Sequence, residues 1–129
     1  MRRLLLLTIG AIGFGCLVVL NVGGYRYGVS DQAFYIPVVL QELTPNMYPH
    51  DAPLIAAQDR FFFFDDWFAG ILRYSNTSIQ AGFLIGYALT LLLLYGAIVA
   101  VGRSMYTSWW TVSALAIGLT IRHRIPDTA

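Results

Sequence analysis

The chain has 129 residues, of which 57% are hydrophobic and 12% charged, and its mean hydropathy is +0.64. Soluble domains are about a quarter charged, so this chain has too little charge for a soluble surface and too much apolar content for a disordered chain. Eight Arg, no Lys and seven acidic residues leave no basic field for nucleic acid. The single Cys excludes an internal disulfide framework and a Cys-based zinc cluster, and a membrane protein remains.

The first predicted element is a membrane span at about residues 4–24, a run without charge. About 20 apolar residues suffice to cross the hydrocarbon core of a bilayer. A cleaved signal peptide is the alternative, because Arg2 and Arg3 precede a Leu-rich core. The apolar run continues past Cys16, so a cut at Cys16 would fall inside it. We therefore favour an uncleaved anchor, in which Cys16 is a small buried apolar residue.

A long outer loop at about residues 25–76 follows, and loops of this length usually carry structure or function of their own. We predict one helix at 34–43, with Pro37 in its first turn, and a second at 54–74. The second helix mixes aromatic with charged residues, which suits a helix lying in the membrane surface; packing against the protein's own spans is the alternative. Asp65 and Asp66 are expected on its solvated face.

Polar residues of this loop are the candidate site. Ser30 or Asp31 fits an N-cap of the first loop helix. Alternatively, Asp31 is a carboxylate half shielded at the membrane face, as a candidate general base or metal ligand. Gln32 follows it directly, and His50 and Asp51 form a second polar pair in a turn-rich stretch. We treat these three as supporting residues, although adjacent His and Asp side chains do not face one another and a structural turn is the simpler reading.

Two further spans are predicted at about 77–101 and 105–121. Arg2 and Arg3 flank the first span and Arg103 follows the second, so the positive-inside rule places the N-terminus and the short second connection in the cytoplasm. The long loop then lies outside.

Arg122 and Arg124 follow the third span and would also lie outside, against the usual bias. One interpretation is an interfacial anchor whose side chains reach lipid headgroups. The other is a phosphate site, since guanidinium groups match phosphate geometry.

These elements predict an all-α membrane protein with three transmembrane helices, one or two membrane-surface helices in the outer loop, and a single membrane unit over residues 1–129. The short charged tail reads as though the chain continued, so we expect a fragment of a larger polytopic fold.

Three segments carry a resemblance to a known family: Tyr27-Gly28-Val29-Ser30-Asp31-Gln32, Tyr35-Ile36-Pro37, and Pro45-Asn46-Met47-Tyr48-Pro49-His50-Asp51. Over residues 1–126 the chain resembles the N-terminal part of bacterial polytopic membrane proteins that look like GT-C glycosyltransferases. Members of that superfamily carry an acidic residue in the first outer loop, soon after the first span. Here the paired acidic motif of the better-known members is Asp31-Gln32, with an amide in the second position.

The resemblance implies a sugar donor on a polyprenyl phosphate or diphosphate and a site at the outer face of the bacterial inner membrane. Asp31 would deprotonate the acceptor or hold a divalent cation, and Arg122 and Arg124 would hold the donor phosphate. Such enzymes have more than three spans, so this chain alone would be inactive.

Two classes of function other than a glycosyltransferase are also considered. A non-catalytic membrane protein would use the outer loop to bind a partner or lipid headgroups. Part of a transporter is the second of these, but the spans lack the intramembrane ionisable residues that usually mark a translocation path.

Overall fold

The computed structural model describes residues 2–59 and 63–121, and the described chain is all-helical. No strand occurs within these ranges. The helices are α1 Arg2–Val22, α2 Gln32–Leu43, α3 Ala52–Asp59, α4 Phe64–Ser75, α5 Ile79–Met105 and α6 Trp109–Thr120. The prediction of an all-α chain is confirmed for this part of the protein.

Two of the helices are long and apolar enough to cross a membrane. The window Leu4–Asn21 of α1 and the 27-residue α5 both have a mean hydropathy of 2.3. At 1.5 Å per residue, helices of 18–27 residues reach roughly 27–40 Å, which matches the hydrocarbon core. Only 6% of each window is buried within the protein. Helices from the core of a soluble protein would bury most of such a surface, so these two are better suited to lipid.

The third predicted span is not confirmed. The described helix at that place, α6, has 12 residues, or about 18 Å of length, which is shorter than the hydrocarbon core. Arg103 also lies inside the last turn of α5 instead of in a connection after it. The link between α5 and α6 therefore consists only of residues 106–108.

The described chain divides into two compact units. The bundle unit comprises the described residues of Met1–Tyr25 and Gly86–Ala129, and the loop unit comprises those of Arg26–Ile85. Helix α5 begins in the loop unit and continues in the bundle unit. The organisation of residues 1–129 as a single membrane unit stays a prediction.

Three helices pack together in the bundle unit. Phe14 of α1, Ile98 of α5 and Ala116 of α6 form its buried cluster, and the Phe14 and Tyr95 rings lie 5.6 Å apart. Near the ends of α1 and α6, Asn21 Nδ2 donates a hydrogen bond to the Thr120 carbonyl oxygen at 2.8 Å. Because successive contacts advance along α1 and α6 together, these two helices run in the same direction.

Helix α5 runs opposite to α1. Its later residue Tyr95 contacts the middle of α1, whereas its earlier residue Tyr87 lies 5.1 Å from the Tyr25 ring, just beyond the end of α1. A Cβ atom on Gly10 would collide with the Tyr95 hydroxyl, and one on Gly102 would lie 3.1 Å from Val112. Glycine therefore permits close helix approach at both places, as small residues do in membrane bundles.

The loop unit has its own apolar core, formed where α2 and α4 pack together with the start of α5. Its buried residues are Val39, Phe68, Ala69, Leu72, Ile79 and Phe83. The Phe68 and Phe83 rings meet edge to face at 5.0 Å, an arrangement that aromatic pairs favour. The segment between α1 and α5 is thus a packed helical unit and not an extended linker.

Helix α2 begins at Gln32, two residues earlier than predicted, so Pro37 lies in the helix interior and not in the first turn. Proline has no N–H and leaves the carbonyl four residues earlier without its helical partner. That carbonyl belongs to Ala33, which is exposed. An exposed carbonyl can be solvated, which lowers the cost of the interior proline.

The single helix predicted at 54–74 is instead two helices, α3 and α4. Residue Phe63 precedes α4 in a non-helical conformation, with φ −97° and ψ 7°. The prediction that Asp65 and Asp66 share a solvated face is wrong for Asp65, which is only 2% exposed, whereas Asp66 is exposed. Successive residues on a helix point about 100° apart, so only one of the pair faces solvent. The predicted burial of Cys16 is also wrong, since its side chain is exposed on α1.

Candidate functional site

The turn between α1 and α2 positions the candidate carboxylate. Gly28 has φ +80° and Ser30 has φ +59°, a region that Gly adopts freely and other residues rarely. The side-chain Oε1 of Gln32 accepts the Gly28 N–H at 3.0 Å. The amide next to Asp31 therefore closes the turn that leads into α2.

Asp31 occupies the N-cap position of α2, but its side chain makes no capping hydrogen bond. Its backbone carbonyl instead accepts the N–H groups of Phe34 and Tyr35, at 3.0 and 3.3 Å. The residue is exposed on the protein, and its shielding at a membrane face stays a prediction. The cap interpretation thus holds for the backbone position of Asp31 and fails for its carboxylate.

His50 and Asp51 lie in the turn before α3, and both are exposed. The Asp51 carbonyl accepts the N–H groups of Leu54 and Ile55, each at 3.0 Å, so this residue starts the helix through its backbone. Within residues 2–59 and 63–121 no group of three or more His, Cys, Asp or Glu side chains is placed to hold a metal ion. The backbone of Asp51 thus has a structural role in this turn, and a supporting role of the two side chains stays a prediction.

Arg122 and Arg124 lie outside the described residues. Their contact with a donor phosphate, and their proximity to Asp31, stay predictions. Of the proposed site, the structure brings Asp31 and Gln32 together in one turn, while His50 and Asp51 belong to a separate turn.

Sequence reasoning missed a groove inside the bundle unit. Two adjoining cavities of about 210 and 330 Å³ share Gly10, Tyr95, Trp109 and Ser113 in their lining. The Arg103 guanidinium carbon lies 4.6 Å from the centre of the Trp109 ring, a cation–π contact. The spaced glycines of α1 (Gly10 and Gly13) were the available signal, since small residues mark close helix contacts in membranes.

A second feature is an exposed apolar stripe on α4, which we call the α4 stripe. It consists of Phe63 just before the helix and of Trp67, Ile71 and Tyr74, which are 85%, 62%, 41% and 96% exposed. Phe68, Ala69 and Leu72 lie on the packed side of the same helix. One face of this helix therefore packs on the protein, and contact of the α4 stripe with the membrane surface stays a prediction.

Comparisons of the chain with protein-family models, with curated proteins and with solved structures find no match.

Proposed function

We propose that this chain is the N-terminal part of an integral membrane glycosyltransferase of the GT-C type, which takes its sugar from a polyprenyl-phosphate donor at the outer face of a bacterial inner membrane. The resemblance of the loop segments around Asp31 suggested this function. Two apolar helices long enough to span a bilayer, with a helical unit between them, support the membrane setting. The continuous α1, which packs within the bundle unit through Phe14, favours an anchor over a cleaved signal peptide.

The observation that carries the proposal is the state of Asp31. A carboxylate that served only as a cap would bond the backbone N–H groups at the start of its helix, and this one does not. The neighbouring Gln32 holds the turn instead. Asp31 is therefore an exposed residue at the start of α2, and its carboxylate makes no capping hydrogen bond.

In the proposed reaction, Asp31 accepts the proton of the acceptor hydroxyl as the acceptor oxygen bonds to the anomeric carbon of the sugar. The bond from that carbon to the phosphate oxygen breaks, and polyprenyl phosphate leaves with the electron pair. Arg122 and Arg124 would stabilise the negative charge on the leaving phosphate. We assign Asp31 the role of base in this scheme, and holding a divalent cation is the alternative that the resemblance implies.

The test uses membranes that contain the intact protein, incubated with radiolabelled hexoses on polyprenyl phosphate. We expect transfer of label above membranes that lack the protein, and its loss in Asp31→Asn at unchanged expression. Asp66→Asn is the matched control, because Asp66 is an exposed Asp in the first turn of another helix. Wild-type transfer by Asp31→Asn would remove Asp31 from the mechanism.

The second candidate is a non-catalytic membrane protein whose loop unit binds lipid headgroups or a partner, and the α4 stripe favours it. Monomeric proteins seldom expose a contiguous row of large aromatic side chains without an interaction that covers it. Absence of label transfer from every donor, together with retained membrane insertion, would support this candidate over the enzyme.

A further inference from the structure

The groove of the bundle unit lies between α1, α5 and α6, of which α1 and α5 are long and apolar enough to span a membrane. Leu6 and Gly10 of α1 form one side, Tyr95 of α5 another, and Trp109 and Ser113 of α6 a third. The side chains are apolar or aromatic except for two hydroxyls. Its cavity of about 330 Å³ is of the size that holds a small apolar ligand or part of a lipid chain. Water would find few hydrogen-bond partners there, so an apolar occupant is favoured.

A cation, Arg103, lies at one end of this groove. Arg103, in the last turn of α5, lies against Trp109, and Trp109 lines both cavities. Leu6, near the beginning of α1, lines the groove together with the start of α6. Helix direction therefore places the beginning of α1 and the end of α5 at the same end of the bundle unit. In the described chain, no acidic residue lies in α1, α5 or α6.

Arg103 also has a local task. Its Nη1 donates hydrogen bonds to the carbonyl oxygens of Tyr106, at 3.3 Å, and of Thr107. These bonds orient the side chain beside Trp109. A guanidinium carries five N–H donors, so such an orientation is compatible with further bonds to a phosphate. A positive charge in the last turn of a helix is also favourable with the helix dipole.

We propose that the bundle unit binds one anionic phospholipid, with an acyl chain in the groove beside Gly10, Tyr95 and Ser113, and with the headgroup phosphate on Arg103. Basic pockets between membrane helices bind acidic headgroups, and an apolar groove next to a cation matches both parts of such a lipid. Zwitterionic lipid can fill the groove but carries no net charge toward Arg103. The inference requires only membrane insertion and is independent of sugar transfer.

The experiment measures the fluorescence of Trp109 alone, in the intact protein with Trp67→Phe and Trp110→Phe. The protein is reconstituted in nanodiscs of phosphatidylcholine that contain a small fraction of brominated lipid. We expect brominated phosphatidylglycerol to quench Trp109 at several-fold lower mole fraction than brominated phosphatidylcholine. One Arg near the surface is worth about 1 kcal/mol toward anionic lipid, or about fivefold.

Three variants separate the parts of the site. Arg103→Gln should abolish the preference for phosphatidylglycerol, and Arg103→Lys should keep most of it, because charge and not the local backbone bonds selects the lipid. Ser113→Leu, which fills the groove, should weaken quenching by both lipids, whereas Ser113→Ala should not. Arg26→Gln is the control for lost charge, since Arg26 is exposed and follows the other end of α1.

Equal quenching by the two brominated lipids in the otherwise unchanged protein would overturn the proposal. So would a preference that survives Arg103→Gln. Circular dichroism of each variant in the same nanodiscs verifies that the helices are intact before the comparison is made. Failure of sugar transfer would leave this result unaffected, because no sugar donor is present in the assay.

Discussion

Asn21 and Thr120 form the main polar contact in the described bundle unit. Asn21 Nδ2 donates to the carbonyl oxygen of Thr120 at 2.8 Å and to its Oγ1 at 3.3 Å, while Thr120 Oγ1 donates to the Ile117 carbonyl at 2.7 Å. In a membrane, side-chain hydrogen bonds between helices are worth about 0.6 kcal/mol on average. This contact holds the C-terminal ends of α1 and α6 together. Helix α6 has only 12 residues with which to pack on its neighbours.

We expect Asn21→Leu to lower the free energy of unfolding by about 0.6–1.5 kcal/mol, because the hydrogen bonds to α6 are lost while apolar area is kept. Thermal unfolding in detergent measures the change. Thr90→Val is the control, since Thr90 Oγ1 donates to the Gly86 carbonyl within α5 and joins no second helix. Equal losses in the two variants would show that the bond between helices contributes nothing.

Burial separates the two neighbouring carboxylates of α4. In a Cys16→Ser background, we expect Asp66→Cys to react with a maleimide at nearly the rate of a free thiol. Asp65→Cys should react at least tenfold more slowly until the protein is denatured, because position 65 is only 2% exposed. Mass spectrometry measures the rate of the maleimide reaction for each variant. Equal rates at positions 65 and 66 in the folded protein would contradict the packing of α4.

Helix α4 shows how one element serves two environments. Phe64 stacks on Phe68 at 5.2 Å and meets Tyr35 of α2 at 5.8 Å, so the packed side is aromatic as well. The C-terminal end is closed by Asn76 with φ +51°, whose N–H reaches the Leu72 and Arg73 carbonyls. Arg73 also donates to the Glu42 carbonyl at the end of α2. Helix α4 is therefore held against α2 within the loop unit, and the α4 stripe remains exposed.

We expect the α4 stripe to lie in the headgroup boundary of a bilayer, where Trp and Tyr side chains are favoured. A spin label at Trp67→Cys, in reconstituted protein without Cys16, should be more accessible to oxygen than to a water-soluble nickel chelate. The matched label at Asp66→Cys should show the reverse order. Greater chelate access at both positions would place the stripe in water and favour a protein partner instead.

At the scale of the whole chain, topology follows from two crossings. If α1 and α5 both span the membrane, the loop unit's connection at residues 44–51 and the short link at residues 106–108 lie on opposite sides. Arg2, Arg3 and Arg103 then put the link in the cytoplasm. The described structure supports the crossings by helix length and exposure, and the orientation stays a prediction.

We expect Met47→Cys to react with an impermeant maleimide in intact cells, and Thr107→Cys to react only after permeabilisation, both in a Cys16→Ser background. Met47 and Thr107 are exposed. Neighbouring Asn46 is avoided because its positive φ angle favours Asn over Cys. Labelling of Thr107→Cys alone would invert the orientation, and labelling of both in intact cells would contradict a crossing by α5.

The sequence by itself determined the helical class and the two long apolar helices. Each of these depends on composition and apolar run length within one segment, and such local quantities are read directly from the chain. The early start of α2 was missed because Pro37 suggested a helix beginning nearby. The non-helical conformation of Phe63 before α4 was missed because no proline or glycine marks that place in the sequence.

Only the tertiary structure decided which residues of a helix are buried, and therefore what the candidate site contains. Asp65 and Asp66 are alike in sequence, and the packing of α4 on α2 distinguishes them. The carboxylate of Asp31 makes no capping hydrogen bond, and the Gln32 side chain closes the preceding turn; no spacing indicates either contact. The groove beside Trp109 is formed by residues more than one hundred positions apart. Contacts of that range depend on how helices pack, and the spaced glycines of α1 mark a close helix contact without naming the partner residues.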